Sequence, residues 1–241
     1  MDVLLPAIIL LFAGLVQGTL GFGAGLVGVS LLVLIWDLSM AVAVGAVFSL
    51  PMVSYVAWRT RDALSLEEVL PLALGCLVGT PIGVALLVNL DPRWVKGLLG
   101  IVLVAHGVWN LGAAGRESQR IISRKWGPLA GVLSGLLSGA LNASGPPAVI
   151  YGTERGWQKN AFRGNLSVYF FVTSLITVVA LTHQGLVGAE SLSWNLKLCL
   201  PLVGGVVLGD QLAARVEPIH FRRAVLFGLL GTGVYYLVSV F

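Results

Sequence analysis

Long apolar runs alternate with short polar stretches along the whole chain. The runs fall at about 3–36, 39–58, 69–90, 94–114, 127–152, 160–182, 195–214 and 220–240. Most end at charged or turn residues, such as Trp58-Arg59-Thr60-Arg61-Asp62 and Asn89-Leu90-Asp91-Pro92-Arg93. Six have the length of one membrane crossing, for which a helix needs roughly 20 apolar residues. The pattern therefore predicts an all-α integral membrane protein.

Two runs are interrupted. Residues 3–36 carry Gly18-Thr19-Leu20-Gly21-Phe22-Gly23-Ala24-Gly25 in their middle, and residues 127–152 carry Asn142-Ala143-Ser144-Gly145-Pro146-Pro147. In a helix interior, glycine costs about 1 kcal/mol and proline about 3 kcal/mol relative to alanine. These stretches are breaks, and a break inside a membrane is tolerated only where its backbone is buried in protein or lines a wet cavity. Each broken run could cross once with a kink or could enter and return as a hairpin.

Charge favours hairpins. Lysine and arginine prefer the cytoplasmic side. If every run crosses once, the 15 basic residues divide almost evenly. If both broken runs are hairpins, only Arg93, Lys96 and Lys197 oppose the other basic residues. This topology puts both termini outside. Met1-Asp2 lacks the basic start of a signal peptide, so the first run reads as retained structure.

Composition agrees. Hydrophobic residues make up 57% of the chain and charged residues 11%, against about 25% charged in soluble domains. The pI of about 9.3 reflects basic loops rather than a nucleic-acid partner. Cys76 and Cys199 lie inside apolar runs, without disulfide or metal spacing.

The halves resemble each other. Gly14-Leu15-Val16-Gln17-Gly18-Thr19-Leu20 aligns with Gly135-Leu136-Leu137-Ser138-Gly139-Ala140-Leu141, and Pro71-Leu72-Ala73-Leu74-Gly75 aligns with Pro201-Leu202-Val203-Gly204-Gly205. One hairpin plus three crossings is an odd number of passes, so the second half is expected to be inverted. The expected organisation is a first repeat at 1–115, a cytoplasmic linker at 116–126 and a second repeat at 127–241, each a broken-helix hairpin followed by three transmembrane helices. Inverted repeats with broken helices are a transporter architecture, with substrate near the midplane.

The breaks supply the candidate chemistry. Unpaired N–H groups at a helix start carry about half a positive charge and suit a small anion. Gln17, Thr19, Gly21, Gly23, Gly25, Asn142, Ser144 and Gly145 are candidate substrate contacts. Arg163 and Asn165, at the start of the sixth run, are candidates to reach the second hairpin. Asp210, the acid deepest in an apolar run, is the candidate for ion coupling, with an ion pair to Arg215 as its structural alternative. Thr80 could face the cavity or pack. His106 reads as a packing residue, and no metal or cofactor is expected. The tryptophans at run ends form an aromatic belt.

The glycine-rich segment from Gly14 to Gly28, the second from Gly135 through Gly145-Pro146-Pro147, the Arg163 segment and the paired Pro71 and Pro201 helices together resemble the TauE/SafE, or sulfite exporter, family over essentially the whole chain. Asn142-Ala143-Ser144 departs from the glycine-rich form of the second break. The resemblance implies transport of a small organic or sulfur-containing anion, such as sulfite, sulfoacetate or a related sulfonate. The expected protein is thus a multi-pass secondary transporter of the inner membrane, with a homodimer left open. Two alternatives stand beside it. A non-transporting scaffold would not need two matched breaks, and an intramembrane enzyme would need a convergent catalytic constellation.

Overall fold

A computed structural model describes residues 3–112, 122–213 and 218–240, with backbone alone for residues 110–112, 159, 213, 218–224 and 240. The described residues form ten α-helices: α1 Leu4–Leu20, α2 Ala24–Leu32, α3 Leu38–Arg59, α4 Leu66–Asn89, α5 Pro92–Gly112, α6 Gly127–Leu141, α7 Gly145–Glu154, α8 Lys159–His183, α9 Ala189–Ala213 and α10 Pro218–Val240. The chain is an all-helical integral membrane protein. Four stretches, Leu38–Arg59, Leu66–Asn89, Asn160–His183 and Ala189–Leu212, are long and apolar enough to cross a bilayer. Leu196 is 81% exposed and Leu200 83% exposed on α9, an outward leucine face suited to lipid.

Both interrupted runs break within their Gly or Asn-Ala-Ser segments. α1 stops at Gly21 (φ 82°), whose N–H donates to the Gln17 carbonyl at 2.7 Å, and α2 starts after Gly23 (φ 99°). Both angles lie in the left-handed region that glycine enters without a Cβ clash. α6 stops at Asn142 (φ 50°), one of the few side-chain types that visits this region routinely. Pro146 and Pro147 then fit the first turn of α7, where their missing N–H groups break no helical bond. α2 rises only about 14 Å and α7 about 15 Å, against a hydrocarbon core of about 30 Å. Gly28 of α2 lies beside Ala13 and Leu10 of α1, so α2 folds back along α1. Ser134 of α6 donates to the Ser144 carbonyl beyond the second break.

Contacts between helices are ordered in matching pairs. α1 runs parallel to α9, with Gly14 against Leu202–Val206 backbone and Gly18 against Val206–Asp210 backbone. α4 runs parallel to α6, with Gly75 against Pro128 and Gly139 against Thr80 and Val84. A Cβ on Gly18 would lie 2.2 Å from the Val206 carbonyl oxygen, and one on Gly75 would lie 2.1 Å from that of Pro128. Such small-residue seams let membrane helices pack backbone to backbone. α3 and α8 are antiparallel, with Thr60 beside Gly164, and so are α5 and α10, with Gly100 beside Gly233 and Gly107 beside Leu230. Each pairing maps onto itself or onto its counterpart when every helix is exchanged with the one five places along.

This packing gathers the α3–α4 and α7–α8 connections, the end of α9 and the start of α6 at one end. Arg59, Arg61, Arg124, Lys125, Arg155 and Arg163 occupy that end, while Arg93, Lys96 and Lys197 lie toward the other. Lys197 there stacks over Trp194, which packs against Trp36.

Candidate functional site

The two breaks meet at one cavity. Gln17, Phe22, Gly23, Ala24, Gly25 and Leu26 line it from the first hairpin, and Asn142, Ser144, Gly145 and Pro146 from the second. Ser49, Met52 and Val53 of α3, His106 of α5, and Phe170 and Ser174 of α8 complete the wall. Its free volume is about 30 Å³, about the share of one water molecule in the liquid.

Gln17 fastens the first tip. Its Oε1 accepts the Ala24 N–H at 3.2 Å and its Nε2 donates to the Gly21 carbonyl at 3.1 Å. One buried amide thus satisfies a donor at the start of α2 and an acceptor at the end of α1. The N–H groups of Gly25 and Leu26 follow in the first turn, where the helix itself provides no acceptor. Asn142 fastens the second tip. Its N–H and that of Ala143 close onto the Ser138 and Leu137 carbonyls at 2.8 and 3.1 Å. Its Nδ2 donates to Ser49 Oγ at 3.2 Å, and Ser49 Oγ donates to the Gly45 carbonyl at 2.9 Å.

The tips touch at Gly25, where a Cβ would lie 2.3 Å from the Asn142 carbonyl oxygen. Two helix N-termini, those of α2 and α7, therefore open on the same small space, each with the positive end of its dipole. They are not equivalent. Pro146 and Pro147 have no N–H, so α7 brings the Gly145 amide where α2 brings two. Gly145 has open space on the side a Cβ would occupy. Among the described residues no cluster of three or more His, Cys, Asp or Glu could hold a metal.

Of the residues singled out in the sequence, Gln17, Gly23, Gly25, Asn142, Ser144 and Gly145 line the cavity. The others lie elsewhere. Thr19 Oγ1 bonds the Leu15 carbonyl at 2.8 Å and reaches the Gly209 carbonyl at 3.2 Å, in the α1–α9 seam. Asn165 Oδ1 accepts the Ser65 N–H at 2.8 Å, at the start of α4. Thr80 is buried against Gly135 of α6. Gly21 lies against Arg163, with a Cβ there falling 2.9 Å from Arg163 Cγ.

Arg163 and Asp210, chosen for separate roles, form an ion pair. Arg163 Nη2 donates to Asp210 Oδ1 at 3.1 Å and to the Gly18 carbonyl at 3.1 Å. Arg59 Nε approaches Asp210 Oδ2 at 3.5 Å, and Tyr55 OH donates to the same oxygen at 3.5 Å. Arg215, the partner expected for Asp210, lies outside the described residues.

Sequence reasoning missed Ser49, Met52, Phe170 and Ser174, and it assigned His106 to packing. Two serines at mid-length in long apolar runs were the available signal. A second polar cluster also went unseen. Glu68 accepts from Arg124 Nε at 2.7 Å, Arg155 Nη2 at 2.6 Å and Trp157 Nε1 at 3.0 Å. The Glu68 carboxylate holds the Arg155 guanidinium above its ordinary pKa through that hydrogen bond. The cluster ties the start of α4 to the end of α7.

The family model "Sulfite exporter TauE/SafE" matches residues 6–236. A curated relative, "Probable inner membrane transporter protein TsaS" of Comamonas testosteroni, is 29% identical over 181 residues, covering 74% of this chain and 72% of the relative. No solved structure matches the chain. With the family model spanning nearly its whole length, this multi-pass membrane protein belongs to the TauE/SafE sulfite exporter family.

Proposed function

We propose that this chain is a secondary transporter that carries a small sulfur-containing oxyanion, sulfite or a short sulfonate, across the inner membrane by alternating access. The carrying observation is the convergence of the α2 and α7 N-termini on one cavity between the two breaks. First-turn amides and dipole ends attract an anion without a fixed cation. Among the described residues, the side chains that line this cavity include no Asp, Glu, Lys or Arg, so such an anion could also be released. The family and the TsaS relative, named as an inner membrane transporter, support the same reading.

The matching helix pairs support two inverted repeats, with the exchange of access arising from movement of one hairpin and its neighbours against the other. The small cavity volume fits an occluded arrangement that widens around a compact anion. The clustering of basic residues at one end supports a cytoplasmic assignment for that end, with both termini outside. Coupling to an ion is part of the proposal.

Flux into proteoliposomes tests it. Labelled sulfite, methanesulfonate, sulfoacetate and acetate are supplied in turn, and saturable flux of at least one sulfur oxyanion is expected. No saturable flux for any of them, in protein that is folded and inserted, would overturn the reading.

A further inference from the structure

The cavity is closed by different chemistry at its two ends. Toward the end with few basic residues, the helices below Asn142 and Ser174 pack through Val29, Leu32, Ala41, Val42, Leu141 and Leu181, which are all fully buried. That is about two turns of apolar contact. Toward the basic end, about two turns of apolar packing that include the buried Val56 and Leu166 are followed by a charged layer. Met52 and Val53 line the cavity, and Tyr55 and Arg59 follow within two turns on α3. Phe170 lines it from α8, with Arg163 two turns away. Phe22 and Phe162 meet edge to face at 6.1 Å between them.

In this charged layer lies the Arg163–Asp210 pair. It joins α8 to α9, takes in the Gly18 carbonyl at the end of α1, and receives Arg59 and Tyr55 from α3. Four elements are thus held by one carboxylate and its partners. Solvent reaches the layer: the Arg163 and Asp210 side chains are 15% and 16% exposed, and Arg59 is 56% exposed. Among the described residues, two guanidiniums face the Asp210 carboxylate. Arg163 Nε is buried and has no hydrogen-bond partner among the described residues, leaving a donor beside the tip of the first hairpin.

We propose that the Arg163–Asp210 ion pair is the gate on the basic end of the cavity, and that a transported anion opens it by taking the place of the Asp210 carboxylate on Arg163. This rests on the transport reading above. The Asp210 carboxylate then holds the guanidinium site when no anion does. An oxyanion supplies the same acceptor geometry and can bond both Nη2 and Nε. Exchange of one anion for another leaves the guanidinium paired throughout, so opening does not strand a buried charge. Asp210 thereby acts through Arg163 and Arg59 rather than in the cavity.

Cysteine accessibility tests the gate without any transported anion, so its failure is separable from failure of the transport reading. The background carries Cys76→Ala and Cys199→Ser, with Ser174→Cys as the reporter in the cavity. A membrane-impermeant thiol reagent is applied to vesicles from the side on which Lys125→Cys labels at once. Asp210→Asn should raise the labelling rate of the reporter about tenfold, and the milder Arg59→Gln about threefold, in line with part-buried and exposed ion pairs. The charge exchange Arg163→Asp with Asp210→Arg should return the rate toward its starting value. Lys197→Gln, at the opposite end, should leave it unchanged. Monodisperse elution establishes folding of each variant. Unchanged labelling in folded Arg59→Gln and Asp210→Asn, or an equal rise in Lys197→Gln, would overturn the proposal. Should Asp210→Asn not fold, Arg59→Gln and the charge exchange decide between the same two outcomes.

Discussion

The backbone of Gly25 lies against that of Asn142 so closely that a Cβ on Gly25 would come within 2.3 Å of the Asn142 carbonyl oxygen. One contact thereby joins the tips of two hairpins more than a hundred residues apart, and both line the same cavity.

Gly25→Ala should separate the tips. The neighbour is backbone and cannot swing aside, so the substitution should cost about 1–3 kcal/mol, the usual range for overpacking. Thermal unfolding in detergent should show a lowered Tm, and flux should fall more steeply than stability. A variant with wild-type Tm and flux would mean that the tips tolerate separation.

Asn142→Ala and Asn142→Gly should divide two roles. Both lose the hydrogen bond to Ser49, but glycine keeps the left-handed turn at no steric cost while alanine strains it by about 1–2 kcal/mol. The alanine variant should therefore unfold at a lower temperature than the glycine variant. Equal Tm values would show that the backbone conformation is not what Asn142 provides.

Gln17→Ala should leave the Ala24 N–H and the Gly21 carbonyl unpaired in a buried tip. The expected loss is about 1–3 kcal/mol for each group left unsatisfied, read as a lower Tm. Gln17→Glu should restore acceptance from Ala24 but not donation to Gly21, and should fall between. Amide hydrogen exchange at Ala24 checks the cause, since it should accelerate in Gln17→Ala.

Gly18→Val should prevent the α1–α9 seam from closing, because a Cβ there meets the Val206 carbonyl oxygen at 2.2 Å. Gly204→Val provides the control, as nothing lies within 4 Å of its added carbon. Yield of monodisperse protein after extraction should collapse for the first and hold for the second.

The breaks were legible because glycine, proline and asparagine interrupt apolar helices by backbone geometry, which a sequence states directly. Run boundaries were close for the same reason, although α9 begins at Ala189, six residues before the apolar run, because polar residues such as Glu190 and Ser193 can form helix outside the hydrocarbon. The inner faces were not legible. Leu198 and Leu202 are fully buried while Leu196 and Leu200 face outward. All four are leucine, because lipid and protein interior are both apolar and the helix needs no polar side. That is why Ser49 and Ser174 were missed as cavity wall. The Arg163–Asp210 pair was missed for another reason, since the two residues are 47 apart and only the packing of α8 beside α9 and the end of α1 brings them together. The second tip was expected to present amides like the first, and its two prolines leave only that of Gly145 in the first turn.

Binding of a small oxyanion where the hairpin tips meet is tested most directly by ligand-dependent unfolding of the purified protein. A ligand that binds only the folded state raises stability by RT ln(1 + [L]/Kd), about 2.7 kcal/mol at a hundredfold excess over Kd. Sulfite or methanesulfonate should raise Tm in a saturable way over an equal concentration of chloride, and Gly25→Ala should abolish the rise. No rise with any sulfur oxyanion, or an equal rise in Gly25→Ala, would place the anion somewhere other than between Gly25 and Asn142.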